Sequence, residues 1–187
     1  QMKVKKIDPL KYNVIDIGSG FGESTLEFAK SDNKKNIIAC EKYLDGINKL
    51  ANLCKTEFLK NVFIYHGNLH QLLDEHCPIK SISEIWILFP DPWPKKRHNK
   101  RRLINDNFFI KLKKYLKKNG TINIATDSKQ YISEILNLIY VYKNDFLWEN
   151  QSKEEWDYKN LSLPKTKYCK KALENGLNPI YLKMVKL

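Results

Sequence analysis

Cysteine is scarce in this chain and scattered. Its four cysteines, Cys40, Cys54, Cys77 and Cys169, stand far apart with no CxxC pair. That excludes a zinc knuckle of ordinary spacing and a disulfide framework, and it suits a reduced cytosolic protein. His66, His70 and His76 approach Cys77 in sequence but form no compact ligand set, so no metal is expected. No apolar run approaches membrane-spanning length, and no signal-peptide pattern opens the chain. Linkers, internal repeats and low-complexity tracts are also missing, and 187 residues suffice for one full core but hardly for two. One domain over residues 1–187 is expected; the chain opens at Gln1 and not at Met, which leaves an upstream segment open.

Acidic residues are the other shortage. Against 33 Lys and Arg there are 21 Asp and Glu, a formal net charge of +12. The imbalance is local: residues 93–118 contain eleven Lys and Arg and a single acid, Asp106. Six of these cations fall within residues 95–102, and three of the six, Arg97, Arg101 and Arg102, are arginines, which grip phosphate bidentately. A concentrated cationic strip points to a polyanionic partner, most often nucleic acid. A membrane surface is disfavoured, since no amphipathic helix with a bulky apolar face accompanies the strip.

The strip follows an apolar run that ends in Leu88-Phe-Pro-Asp-Pro-Trp-Pro-Lys95. Pro90, Pro92 and Pro94 cannot continue a central strand or a helix interior. They predict a stiff, extended connection that fixes Asp91 and Trp93 beside the cations. Trp93 is compatible with two roles, a stacking platform for a base or an apolar plug under the loop.

Upstream, residues 13–17 read as a buried strand that runs into Gly18-Ser-Gly-Phe-Gly22 and then a helix over 23–30. A second strand, 36–40, ends in Glu41, twenty-one residues after Gly20, where an acid can accept both hydroxyls of a ribose. The spacing G-x-G-x-G places the third glycine one residue earlier than the dinucleotide fingerprint. It therefore suits a nucleoside cofactor without a pyrophosphate, such as S-adenosylmethionine. An amphipathic helix is predicted over 43–59, a third strand over 61–65 followed by Asn68, a short helix near 69–76, and a fourth strand over 82–89. Asn68 is placed to meet an adenine amino group. A lysine-backed helix over 106–118 should end in a left-handed cap at Asn119-Gly120. Next come a fifth strand over 121–125 leading to Asp127, a helix over 129–142, and two closing antiparallel strands at 146–148 and 179–185. Residues 163–168 read as basic and turn-rich. The expected fold class is α/β, a Rossmann-like, mostly parallel seven-stranded sheet with helices on both faces and an antiparallel closing strand. In such a sheet ligands lie beyond the carboxyl ends of the strands, which gathers Gly18, Glu41, Asn68, Asp91 and Asp127 along one edge.

Phe89-Pro-Asp-Pro-Trp-Pro-Lys-Lys-Arg-His-Asn-Lys-Arg-Arg-Leu103 closely resembles the signature of the bacterial-type tRNA (guanine-N7)-methyltransferases. The resemblance runs from Ile15-Asp-Ile-Gly18 through Ala125-Thr-Asp127 to Thr166-Lys-Tyr168. It implies a class I methyltransferase fold, S-adenosylmethionine as donor, tRNA as partner, and methylation of a variable-loop guanine at N7. It also implies that Asp16, Gly18, Gly20, Gly22, Glu41, Asn68 and Asp91 contact the cofactor, with Asp91 also catalytic. Lys95, Asp127 and Thr166, Lys167, Tyr168 and Cys169 would contact substrate, and Arg97, Lys100, Arg101 and Arg102 the RNA. Two positions depart from the pattern. Asp16 stands where Glu is usual, and Cys169 closes a run that usually ends in Glu, so that a contact to the guanine is either missing or supplied by Glu174. The alternatives are another S-adenosylmethionine-dependent RNA methyltransferase and a non-catalytic RNA-binding module. The former's amino-directed members carry an Asn/Asp-Pro-Pro-aromatic motif where Pro-Asp-Pro-Trp stands here, and the intact glycines, Glu41 and Asp91 count against the latter.

Overall fold

A computed structural model describes residues 6–187; the first five residues of the expected domain lie outside the described residues. Strand β1 (Asn13–Ile17) leads through the glycine turn into helix α1 (Glu23–Ser31), and β2 (Asn36–Glu41) into α2 (Leu44–Thr56). Then follow β3 (Val62–His66), α3 (Leu69–His76) and β4 (Ile82–Leu88). A 3-10 turn (Lys96–Arg101) precedes α4 (Asp106–Tyr115), β5 (Leu116–Thr126) and α5 (Lys129–Val141). The chain closes with β6 (Phe146–Trp148), α6 (Lys153–Trp156), α7 (Lys167–Glu174) and β7 (Ile180–Lys186).

The seven strands form one sheet in the order β3-β2-β1-β4-β5-β7-β6. The chain builds outward from β1 to β3, then returns to lay β4 against the other side of β1, all in parallel. The order therefore reverses between β1 and β4, and the crevice beyond their carboxyl ends is where such sheets take ligands. Strand β7 runs antiparallel to both neighbours, wedged between β5 and β6.

Alternation along the strands decides which helices cover which face. In β1 and β2, Val14, Ile37 and Ala39 pack with Ala29 of α1 and Leu50 and Cys54 of α2. Their neighbours Ile15, Ile17, Ile38 and Cys40 point the other way, toward Leu72 of α3, Phe108 of α4 and Tyr131 of α5. Asp16 shares the parity of Val14, so it faces α1. A third, smaller cluster joins Leu88 and Ala125, near the carboxyl ends of β4 and β5, to Tyr158, Cys169 and Tyr181.

Two expectations need correction. Helix α4 stops at Tyr115, short of residue 118, because Leu116 is already paired with Ile82 in the sheet. The left-handed residue is Asn119 (φ 61), not Gly120, and it lies in a bulge: Ile82 pairs with Leu116 but Glu84 with Thr121. Lys186 explains why the helix ends there, since its Nζ donates to the carbonyls of Lys113 (2.6 Å) and Leu116 (2.8 Å). The second correction concerns residues 163–168, whose last two open α7. Thr166 caps that helix, and at its other end the N–H groups of Gly176 (φ 70) and Leu177 bond back to Leu173 and Ala172, a complete Schellman motif.

Candidate active site at the switch point

The glycine turn is built for close approach. Gly18 takes φ 68 and is exposed, and a Cβ added there would meet nothing within 4 Å. Gly20 (φ 54) donates its N–H to Glu41 Oε2 at 2.8 Å, so the acid at the end of β2 holds the turn. The other oxygen, Oε1, accepts from the N–H groups of Lys42 (2.7 Å) and Tyr43 (2.9 Å). Glu41 is buried and thus rigidly aimed by three backbone donors. Gly22 (φ 90) stands in the N-cap position of α1 and packs on Leu50.

Asp16 lies beneath the turn, not in it. Its Oδ2 accepts from the hydroxyls of Ser24 (2.6 Å) and Thr25 (2.7 Å), pinning the first turn of α1 to β1. Burial pushes its carboxyl up, and the two hydroxyl donors pull the other way. A direct cofactor contact by Asp16 is not what this geometry provides; it positions the turn that would make one. Asn68, just past β3, caps α3 by accepting from Gln71 N (3.0 Å), while its amide donates to Gln71 Oε1 (2.7 Å).

Across the crevice, β4 ends and Phe89 makes one more sheet bond, N–H to the Ala125 carbonyl at 2.8 Å. The loop then departs from the expected extended form. Phe89 (φ 56) and Trp93 (φ 43) both take left-handed backbone, although each precedes a proline, which favours extended geometry. Non-glycine residues in that region cost of order 1–3 kcal/mol each and persist only where their surroundings impose them. Asp91 sits between them, exposed. Trp93 is half-buried, with the Arg101 guanidinium 4.9 Å over its ring and the His98 ring edge-on at 5.8 Å. Lys95, Lys96, Arg97 and Lys100 are exposed along the 3-10 turn.

Arg102 is the exception, and its assignment to the RNA strip is corrected. Its side chain is 1% exposed. The Nε donates to the Pro92 carbonyl (2.7 Å), one terminal nitrogen to that of Trp93 (3.1 Å), and another pairs with Glu134 of α5. The guanidinium lies 5.0 Å over the Tyr131 ring. A guanidinium so enclosed cannot reach a phosphate.

Helix α7 closes the site from the far side. The Lys167 N–H donates to Glu23 Oε2 (2.7 Å), and the Lys167 ammonium lies 4.2 Å over the Phe21 ring, which Lys49 covers at 4.3 Å. The segment 166–168 thereby abuts the glycine turn. Thr166 is buried and accepts from Cys169 N (3.3 Å) as the helix cap. Cys169 cannot contact a substrate, because its side chain is buried among Leu88, Tyr158 and Tyr181. Nor does Glu174 replace it: that residue ends α7, away from the glycine turn. Tyr168 is half-exposed, and Asp127, half-buried between β5 and the Ser128 cap of α5, stands at the same edge. Thr166→Val should cost about 1 kcal/mol, the worth of an N-cap, and lower Tm by about 2–4 °C. An unchanged melting curve would show that docking on Glu23 and Phe21, not the cap, holds the helix.

The family described as "Putative methyltransferase" matches residues 11–182. A tRNA (guanine-N(7)-)-methyltransferase from Buchnera aphidicola is 34% identical over 97% of this chain and 79% of its own length. One from Nitrosococcus oceani is 33% identical over 87% of the chain and 66% of its own length. The chain belongs to the tRNA (guanine-N(7)-)-methyltransferase family. An rRNA methylase structure from Streptococcus thermophilus superposes with a TM-score of 0.61 over 97% of this chain and 89% of that one, at 15% identity, a likeness of fold alone. The glycine turn and Glu41 stand at the carboxyl ends of β1 and β2, and Asp91 and the cationic turn follow β4, so all lie beyond the same end of the parallel strands. Asp16, Arg102 and Cys169 are buried. Among the described residues no helix is long and apolar enough to cross a membrane.

Proposed function

We propose that this protein methylates N7 of a variable-loop guanine in tRNA, with S-adenosylmethionine as donor. The reading rests on one conjunction in a chain of this family: the open glycine turn after β1, and Asp91 with a cationic turn after β4, flank the same switch point. Gly18, Gly20 and Glu41 fit a nucleoside. The turn leaves a free approach at Gly18, and its carboxylate neighbour is fixed by backbone donors. When bound, S-adenosylmethionine supplies an electrophilic methyl group.

What the chain must add is placement. Guanine N7 carries an in-plane lone pair and no proton, so no side chain has to remove one. Asp91 is suited to orient the base through its N1–H or amino group and to offset the positive charge that develops on the purine. Holding donor and acceptor in line supplies most of the acceleration, with effective molarities of order 10⁵ M or more for aligned groups. Lys95, Arg97, Lys100 and Arg101 would meet the tRNA backbone, and Asp127, Lys167 and Tyr168 would border the base.

Bulk tRNA lacking 7-methylguanosine should become sensitive to borohydride and aniline cleavage at a single variable-loop guanine after incubation with the protein. Methyl transfer to a different atom would overturn the reading. Changing Arg97, Lys100 and Arg101 together to Gln should weaken tRNA binding and reduce the salt slope by about one for each phosphate left without its cation. A slope that stays as steep would return the turn to an ordinary solvated surface.

A further inference from the structure

We propose that Glu134, on α5, is a positioning residue for Asp91, acting through Arg102. The proposal rests on the methyl-transfer reading and adds a device to it. The loop from Phe89 to Arg102 holds two left-handed residues that each precede a proline, a shape it would not keep unaided. Arg102 supplies the restraint. Its two donors bind the carbonyls of Pro92 and Trp93, the residue after Asp91 and the left-handed residue next to it. The guanidinium is in turn held from below. Glu134 pairs with it through Oε2, and the Tyr131 ring lies under it.

Glu134 does more than neutralise a buried cation. Its other oxygen, Oε1, accepts from the Asn99 amide at 3.1 Å, inside the 3-10 turn that carries Lys96, Arg97 and Lys100. One carboxylate thus fixes both the base-facing loop and the cationic turn to the same helix. Tyr131 reinforces the floor, its hydroxyl accepting from Ile104 N–H at 2.9 Å. Burial pushes that phenol up to about 12, while the Ile104 N–H and the Arg102 guanidinium pull the other way. Lysine could not replace Arg102, because a single ammonium cannot span two carbonyls and a carboxylate in one plane.

Glu134 is part-exposed, so its removal opens no cavity. In Glu134→Ala, kcat for tRNA methylation should fall about tenfold to a hundredfold, the scale of a misplaced catalytic group. KM for tRNA should change less than kcat, since the exposed cations remain although their turn loses the tie from Asn99. Glu134→Gln keeps one acceptor oxygen and puts an NH₂ donor where the other stood, so it can hold Arg102 or Asn99 but not both and should recover only part of kcat. Amide exchange in Glu134→Ala should quicken in residues 89–102 and nowhere else. An unchanged kcat, a change confined to KM, or a loss that tracks the unfolded fraction in a melt would each overturn the proposal. So would unaltered exchange in residues 89–102. If the wild-type protein transfers no methyl group to tRNA, the functional reading has failed, and the exchange result still decides whether Glu134 sets the loop.

Discussion

Asp91→Ala should slow methyl transfer about a hundredfold or more and leave tRNA affinity nearly intact. The split follows from where the charge sits. Asp91 is exposed at the mouth of the crevice and bonded to nothing in the described residues, so the fold does not depend on it. The phosphate-facing cations lie downstream on the 3-10 turn, which the Asn99–Glu134 hydrogen bond holds without any contact to the Asp91 side chain. Removing the carboxylate takes away the group that would orient the purine and balance its developing charge, a kind of deletion that costs about 10²–10³-fold in related cases of preorganised electrostatics. Initial rates with saturating tRNA, set beside filter binding, separate the two effects. Turnover at the wild-type rate would remove Asp91 from the mechanism, and a parallel loss of binding would make it a docking residue.

The second large effect is on stability. In Gly22→Ala the new Cβ would stand 2.3 Å from Leu50 Cδ1 and 3.3 Å from its Cβ, and Leu50 is 1% exposed with nowhere to go. Overpacking of that kind costs about 1–3 kcal/mol, and the left-handed backbone at φ 90 adds about 1–2 kcal/mol for a residue with a Cβ. A fall in Tm of about 10 °C is expected for a chain of this size. Gly18→Ala makes the control: its Cβ meets open space, so only the backbone term applies, while cofactor affinity should suffer more than stability. Equal melting shifts for the two variants would mean that packing against Leu50 contributes nothing.

Much of this architecture is legible in the residues. Strand-turn-helix at 13–31, Glu41 after the second strand, and the apolar run into Pro90 all sit where their patterns place them, because each is set by local alternation or by glycine and proline stereochemistry. What sequence could not supply is how a charge is used. Arg97 and Arg102 look alike in a basic run, yet one is exposed and the other buried under its own loop. Only the approach of α5, thirty-odd residues on, distinguishes them. Asp16 hides in the same way, although the period of two already put it on the α1 face. The missed helix α7 did leave a signal. Thr166 stands three residues before Cys169, an amphipathic turn follows, and Asn175-Gly176 marks its end. Its basic, proline-led start, Leu163-Pro-Lys-Thr, disguised it as a turn.

The place of β7 in the sheet has a consequence for how the protein comes into being. The strand nearest the carboxyl terminus is not at an edge; it lies between β5 and β6, and Tyr181 joins the cluster against which Cys169 seats α7. During synthesis the glycine turn, Glu41 and Asp91 all emerge long before residue 180. The wall that α7 raises beside Phe21 lacks its packing against Tyr181 until then. Products that stop short of β7 would therefore carry these groups with that side of the enclosure incompletely packed.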